Sequence, residues 1–286
     1  MRVLVTGASG FVGRALTAAL AVAGHDVRAA TRRPESYRGA GEPVRLDVGD
    51  RASVEAALDG CDAAYFLVHS MEGPDFAEKD RRAASTFADL AGAGGRRIVY
   101  LGGLGAEGNP SAHLRSRQEV GRILQGGADT VELRAAMVIG RGSASFEIMT
   151  QLVDRLPVMV CPRWVTTRSQ PIALPDVVRY LTAALDLRSG GYDVGGADVL
   201  TYEDMMQRYA ALTGRRRLIL KVPVLTPTLS SHWIGLVTDQ PASIARPLAE
   251  GLSVEVVVTD DRIRSLVRFE PMGFDEAARL ALATDT

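Results

Sequence analysis

The chain has 286 residues, enough to bury a large core as one domain with a second lobe. Its 33 Lys and Arg against 34 Asp and Glu give a formal net charge of −1, which argues against nucleic acid or an anionic membrane surface as the partner. No apolar run approaches the ~20 residues needed to cross a bilayer, so no membrane span is expected.

Strands and helices alternate through the first half. Val3–Thr6 reads as a strand and Val12–Ala23 as a helix, followed by strands at Val27–Ala30 and Val44–Leu46. Asp50 is placed to cap a helix running to Leu58. Next come a strand over Ala64–Val68, a long helix over Asp75–Ala93, a strand over Ile98–Leu101, a helix over Leu114–Leu124 and a strand over Val131–Leu133. Repeated βαβ units imply an α/β fold with a doubly wound parallel Rossmann sheet.

The pattern loosens past residue 145. A helix near Phe146–Leu156 leads into a short apolar strand and a loop over Cys161–Arg168. Pro171–Leu174 and Tyr192–Val194 are expected to return to the sheet around a helix over Asp176–Leu185. Thr201 is placed to cap a helix over Tyr202–Leu212, and an apolar stretch surrounds Leu229–Val237. The expected division is a Rossmann core at 1–157 and 171–196, with a smaller C-terminal substrate lobe at 158–170 and 197–286.

The most informative segment is the first turn. The strand runs into Gly7-Ala8-Ser9-Gly10-Phe11-Val12-Gly13 and then a helix, the context in which Gly-x-x-Gly-x-x-Gly marks a dinucleotide site. Gly7 permits the tight turn, Gly10 leaves room for a pyrophosphate, and Gly13 lets the helix approach the strand. The helix dipole then points its positive end at the phosphates.

An NAD-specific site places Asp or Glu after the second strand. This chain has Thr31-Arg32-Arg33 there, two guanidinium groups suited to a 2′-phosphate, so NADP(H) is expected over NAD(H). A solvated basic turn is the simpler alternative. Asp47, before Val48, is placed for the adenine amino group or for capping the turn that follows. Ligands in such sheets lie beyond the carboxyl ends of the strands. That rule selects Leu67, Val68, His69, Leu101, Gly102 and Ala135 as further cofactor contacts.

Taken together, the Gly loop, Leu46-Asp47-Val48, Phe66-Leu67-Val68-His69-Ser70-Met71, His113-Leu114-Arg115-Ser116-Arg117, Glu132-Leu133-Arg134-Ala135 and Pro171-Ile172-Ala173-Leu174 resemble the atypical short-chain dehydrogenase/reductases. The similarity is to their NAD(P)H-binding branch related to NmrA and YbjT-like proteins, and it covers nearly the whole chain. Ordinary members carry a Ser or Thr after the fifth strand and a Tyr-x-x-x-Lys pair on the next helix. Here Gly102-Gly103 replaces the hydroxyl, His113 stands at the tyrosine position and Arg117 at the lysine position. Lys79 and Lys221 are the only lysines, and neither follows a tyrosine at that spacing.

Three readings follow. His113 can replace tyrosine as general acid, with Arg117 holding the ribose or the phosphate; alternatively His113 only begins a helix and Arg117 pairs with a surface acid. In the second, the protein is a ketoreductase in which a phenol beside the substrate ketone, or water, supplies the proton; Gly102 and Gly103 would leave room for a flat aromatic polyketide. Quinone reduction is the close alternative. In the third, the resemblance implies a non-catalytic NADP(H)-binding redox sensor.

His69, Ser70, Met71, Gly103, Met137 and Trp164 are the candidate substrate contacts, each with a plain packing or turn role as the alternative. His232-Trp233, Met159 and the isolated Cys61 and Cys161 are expected in the core. Two unpaired cysteines suit a reducing compartment. The chain enters a strand at once, leaving no room for a signal peptide, so a cytoplasmic protein is expected, either monomer or homodimer. The four histidines lack ligand-like spacing and no metal is expected.

Overall fold

The computed structural model describes residues 1–70, 73, 75–105, 111–222, 237–239 and 252–283, with no account of the Arg163 and Trp164 side chains. Its centre is a seven-stranded parallel sheet of β1 (Arg2–Thr6), β2 (Asp26–Thr31), β3 (Glu42–Arg45), β4 (Ala63–Phe66), β5 (Arg97–Gly103), β6 (Thr130–Ala135) and β11 (Gly190–Val194). The spatial order is β11-β6-β5-β4-β1-β2-β3, so the chain reverses its direction of travel across the sheet between β1 and β4. A crevice opens at that reversal. Thr6 ties it together, its Oγ1 accepting the Leu67 amide at 2.9 Å.

Both faces are covered, which is why β1 reads as the unbroken apolar run Val3-Leu4-Val5. Val3 and Val5 point into one core layer with Val27, Tyr65, Val99 and Val131. Leu4 points into the other with Phe66, Ile98 and Tyr100. Helix α1 (Phe11–Val22) buries Leu16 and Leu20 in the first layer, and α6 (Leu174–Ala183) adds Val177 and Leu181 to the same layer. Helices α2 (Arg51–Leu58), α3 (Phe76–Ala93) and α4 (Ala112–Gly127) cover the second layer through Leu58, Phe87 and Leu124. Each fully buried Leu or Phe contributes about 1.5–3 kcal/mol. The Asp50 cap forms as expected, Oδ1 accepting the Ala52 amide at 3.1 Å.

A third core cluster lies beside the sheet. It joins α5 (Ala144–Arg155), β8 (Val158–Pro162), α7 (Tyr202–Leu212) and the closing helix Phe274–Ala283 through Phe146, Met149, Met159, Met205, Tyr209 and Phe274. Thr201 starts α7 with a full capping box: its Oγ1 accepts the Asp204 amide at 3.1 Å, and Asp204 accepts the Thr201 amide at 3.0 Å.

Two expectations change. The segment at Pro171–Leu174 does not rejoin the main sheet. Ile172–Ala173 (β10) pairs in parallel with Val138–Ile139 (β7) as a separate ribbon, because β7 leaves the line of β6 after Ala136-Met137 and carries its partner away. The Ile172 amide bonds to the Met137 carbonyl at 2.9 Å, and α6 starts directly at Leu174 with Pro175 in its first turn. The expected loop over Cys161–Arg168 is a strand end, a 3-10 turn over Arg163–Thr166 and the start of β9 (Arg168–Ser169). Strand β13 (Leu218–Val222) pairs β8 in parallel and holds it extended. No helix among the described residues is long and apolar enough to cross a membrane.

Candidate active site

A cavity of about 460 Å³ opens at the crevice and runs from the glycine turn to the space between α5 and α7. Its first part is backbone. Gly7 has φ +66°, and Val68 Cγ1 would lie 3.3 Å from any Cβ placed there. A Cβ on Gly13 would overlap the Gly7 carbonyl, its carbon at 2.8 Å, and stand 2.9 Å from Ala8 Cα, so only glycine lets α1 approach β1. Gly10 is the N-cap of α1 and offers no side-chain cap. The first amides of the helix are therefore free for an anion. Phe11 and Val12 line the same wall, whereas Ala8 is fully buried beneath it, its amide bonded to the Ala30 carbonyl at 3.1 Å.

Beyond the glycine turn, at the end of β2, lies a small polar step. Ser9 Oγ and Thr31 Oγ1 are 3.4 Å apart. Arg32 and Arg33 are exposed, and neither guanidinium has a hydrogen-bond or ion-pair partner among the described residues. Asp47 Oδ1 accepts the Gly49 amide at 2.9 Å and closes the turn after β3. Val48 packs against the second core layer.

The middle of the cavity is where the signals converge. Leu67, Val68 and His69 arrive from β4, Leu101, Gly102 and Gly103 from β5, His113 and Arg117 from α4, and Ala135 and Met137 from β6. The His69 and His113 rings face each other with centroids 5.5 Å apart. Arg117 hydrogen-bonds the Leu101 carbonyl near the end of β5, and its Nε is buried without a partner among the described residues, as is His113 Nδ1. Desolvation first, then the Arg117 charge, pushes His113 down to about 4. The same two causes, with His113 as a third, hold His69 well below its usual value. Both imidazoles are therefore neutral at pH 7. His69 lines the cavity and is exposed to solvent there.

The glycines that end β5 do not open the room expected of them. The space beside Gly103 is taken by Leu114, whose Cδ1 would lie 2.8 Å from a Cβ, and by Arg117 Nε at 3.3 Å. Gly102 faces Glu132 Oε1 at 2.6 Å on the same measure. Glu132 is buried, bonded to Gln125 Nε2 at 2.9 Å, and burial raises its pKa. The free volume instead lies along α5 and α7. Ser145, Ile148, Met149 and Leu152 line it from α5, and Tyr202 and Met206 from α7. Ser143, before α5, also lines the cavity. These residues were not singled out in the sequence, although Ser143-Ala144-Ser145 before an apolar run is a helix-start signal.

Ser70 sits behind the cavity, its amide bonded to Asp80 Oδ1 at 2.6 Å. Met71 and His232-Trp233 lie outside the described residues, as does Leu229–Val237 apart from Val237, and the Trp164 side chain is not described. Met159, Cys61 and Cys161 are buried. Among the described residues, no three His, Cys, Asp or Glu gather as a metal site.

The profile of a family described as NAD(P)H-binding matches residues 7–136. An uncharacterized protein of Mycobacterium tuberculosis is 28% identical over 245 residues, 84% of this chain and 26% of that protein. The chain thus spans about a quarter of that relative's length. The (4-alkanoyl-5-oxo-2,5-dihydrofuran-3-yl)methyl phosphate reductase of Streptomyces griseus is 43% identical over 108 residues, 37% of this chain and 36% of that one. Among solved structures, a nucleoside-diphosphate-sugar epimerase of Staphylococcus aureus shares the fold with a TM-score of 0.75 and 18% identity, over 98% of this chain and 100% of that chain. Residues 7–136 are thus similar to an NAD(P)H-binding family, and they carry the glycine turn and most of the Rossmann-like sheet.

Proposed function

We propose that the protein is an NADPH-dependent reductase acting on a carbonyl of a bulky, mostly apolar small molecule, of which an aromatic polyketide ketone is one example. The observation that carries this reading is the continuous cavity, which leads from the glycine turn past Arg117 and the paired histidines to the apolar space between α5 and α7. A redox sensor would need only the first part, so the open apolar part favours an enzyme. The likeness to a Streptomyces griseus reductase supports reduction as the chemistry. The substrate lobe is assigned to 158–170 and 197–286.

The residues fit a dinucleotide, since the Gly7–Gly13 turn is a cradle that side chains would fill. Gly10 and the first amides of α1 would hold the pyrophosphate, and Arg32 and Arg33 a 2′-phosphate. When bound, the cofactor supplies hydride. The Arg117 guanidinium would stabilise negative charge developing on a carbonyl oxygen. His113, being neutral, would orient that oxygen through a hydrogen bond instead of acting as an imidazolium acid. The proton then comes from water or from a phenol on the substrate. Quinone reduction needs the same groups.

The test is NADPH oxidation at 340 nm with quinones, simple ketones and polycyclic ketones bearing a neighbouring hydroxyl. Turnover of the last group is expected, lowered about a hundredfold in Arg117→Ala, the worth of one charged donor in such a site, and largely retained in His113→Ala. NADPH binding without turnover of any compound would refute the reading.

A further inference from the structure

Helix α5 presents the cavity with two different ends. Its N-cap, Ser143, is 7% exposed and lines the cavity, yet its hydroxyl caps nothing and has no hydrogen-bond partner among the described residues. The amides of residues 144–146 open the helix and have no intrahelical acceptor. Glu147, in the same turn, accepts the amide of Gly142, the residue before the N-cap, at 2.9 Å. The hydroxyl therefore meets the cavity without a protein partner among the described residues. Placed at a helix N-terminus with free amides, it is built to receive negatively charged oxygen.

The rest of the helix is apolar where it faces the same space. Ile148, Met149 and Leu152 follow Ser145 at helical spacing and line the cavity, with Met206 opposite on α7. The polar seat and the apolar stripe thus belong to one continuous wall. Phe11 lies between this seat and the glycine turn: its Cδ2 is 3.5 Å from where a Gly142 Cβ would be, and its ring edge lies within 3.0 Å of the same point on Gly140. The N-termini of α1 and α5 are therefore neighbours with the Phe11 ring packed against the second.

We propose that the α5 N-terminus with the Ser143 hydroxyl binds the anionic group, a phosphate or carboxylate, of an amphiphilic substrate whose apolar body lies along Ile148, Met149 and Leu152. This rests on the reductase reading for the word substrate, while the seat itself does not. One source to separate is the cofactor, whose own phosphates could occupy the seat.

Octyl phosphate, octanoate and octan-1-ol would be titrated calorimetrically into protein saturated with NADP⁺. At least one of the two anions is expected to bind about tenfold or more tighter than the alcohol, the worth of one charge-assisted hydrogen bond. Ser143→Ala should weaken that anion about three- to tenfold. Ser143→Glu, which places a carboxylate on the seat, should remove anion binding and leave octan-1-ol unchanged. Anion binding that disappears when NADP⁺ is added would assign the seat to the cofactor and overturn the proposal. So would equal affinity for the alcohol and both anions, or an unchanged affinity in both variants. The readout is binding, so a failure of turnover would sink the reductase reading while leaving this result legible.

Discussion

The imidazole rings of His69 and His113 lie 5.5 Å apart, centroid to centroid, at an interplanar angle of 53°. They reach each other from different elements, one just past β4 and the other in the first turn of α4. Arg117, one turn along from His113, lies close enough to raise the cost of protonating either ring. The pair is thus a neutral wall beside a fixed positive charge.

This arrangement makes stability fall in acid. The folded pKa of His113, about 4, lies below its ordinary value of 6.5. Above 6.5 the ring is neutral in both folded and unfolded chains and pH has no effect through it. As pH falls from 6.5 towards 4 the unfolded chain takes up a proton that the folded chain refuses, and stability is lost; below 4 the loss levels off. The penalty is on the order of 3 kcal/mol. Urea unfolding of wild type and His113→Gln at pH 7.5 and 5.0 checks it. The variant should lose less stability than wild type across that interval, and parallel losses would refute the assignment.

The proposed preference for NADPH rests on Arg32 and Arg33, two exposed guanidinium groups without partners among the described residues. Arg32→Ala and Arg33→Ala are expected to weaken NADPH about tenfold or more, the worth of a charge-assisted phosphate contact, while NADH is unaffected. Fluorescence titration of both cofactors decides the matter. Equal losses for NADPH and NADH would mean that the arginines serve the turn and not the 2′-phosphate.

Two helix starts that look alike in sequence should behave differently. Thr201 closes a capping box, so Thr201→Ala should cost about 1 kcal/mol and up to about 2. Ser143 caps nothing, so Ser143→Ala should leave thermal stability within about 0.5 kcal/mol of wild type. Scanning calorimetry of both variants makes the comparison. A large loss in Ser143→Ala would show that the hydroxyl serves the fold.

The contrast between those two residues shows what a sequence reveals. The α7 start at Thr201, the Asp50 cap and the strand–glycine–helix entry were legible because each is local: capping and turn chemistry act over three or four residues. The Rossmann sheet was legible because βαβ repetition leaves few topologies open. The rest depended on packing between distant elements. Ile172–Ala173 pairs β7 and not the main sheet because of where Met137 turns. Gly103 looked like open space until Leu114 and Arg117 were seen to fill it. His69 and His113 were each singled out, but their facing geometry belongs to neither segment. Ser143 was missed because an N-cap serine is ordinary in sequence, and only the absence of its cap bond sets it apart.

Asp80 holds the wall behind the histidines. It is 6% exposed on α3, accepting the Ser70 amide at 2.6 Å through Oδ1 and the Ser116 hydroxyl at 3.2 Å through Oδ2. One carboxylate therefore fastens the segment carrying His69 to the helix carrying His113 and Arg117. Asp80→Ala leaves a buried hydroxyl and an amide without their acceptor and should cost about 2–4 kcal/mol. Ser116→Ala removes one donor and should cost about 1 kcal/mol. The double variant should be no worse than Asp80→Ala by more than about 0.3 kcal/mol, because the Ser116 bond is already gone. Urea unfolding of the four proteins gives the coupling directly. Additive losses would mean that Asp80 and Ser116 stabilise the fold separately, and the link between the two histidine segments would then run through other contacts.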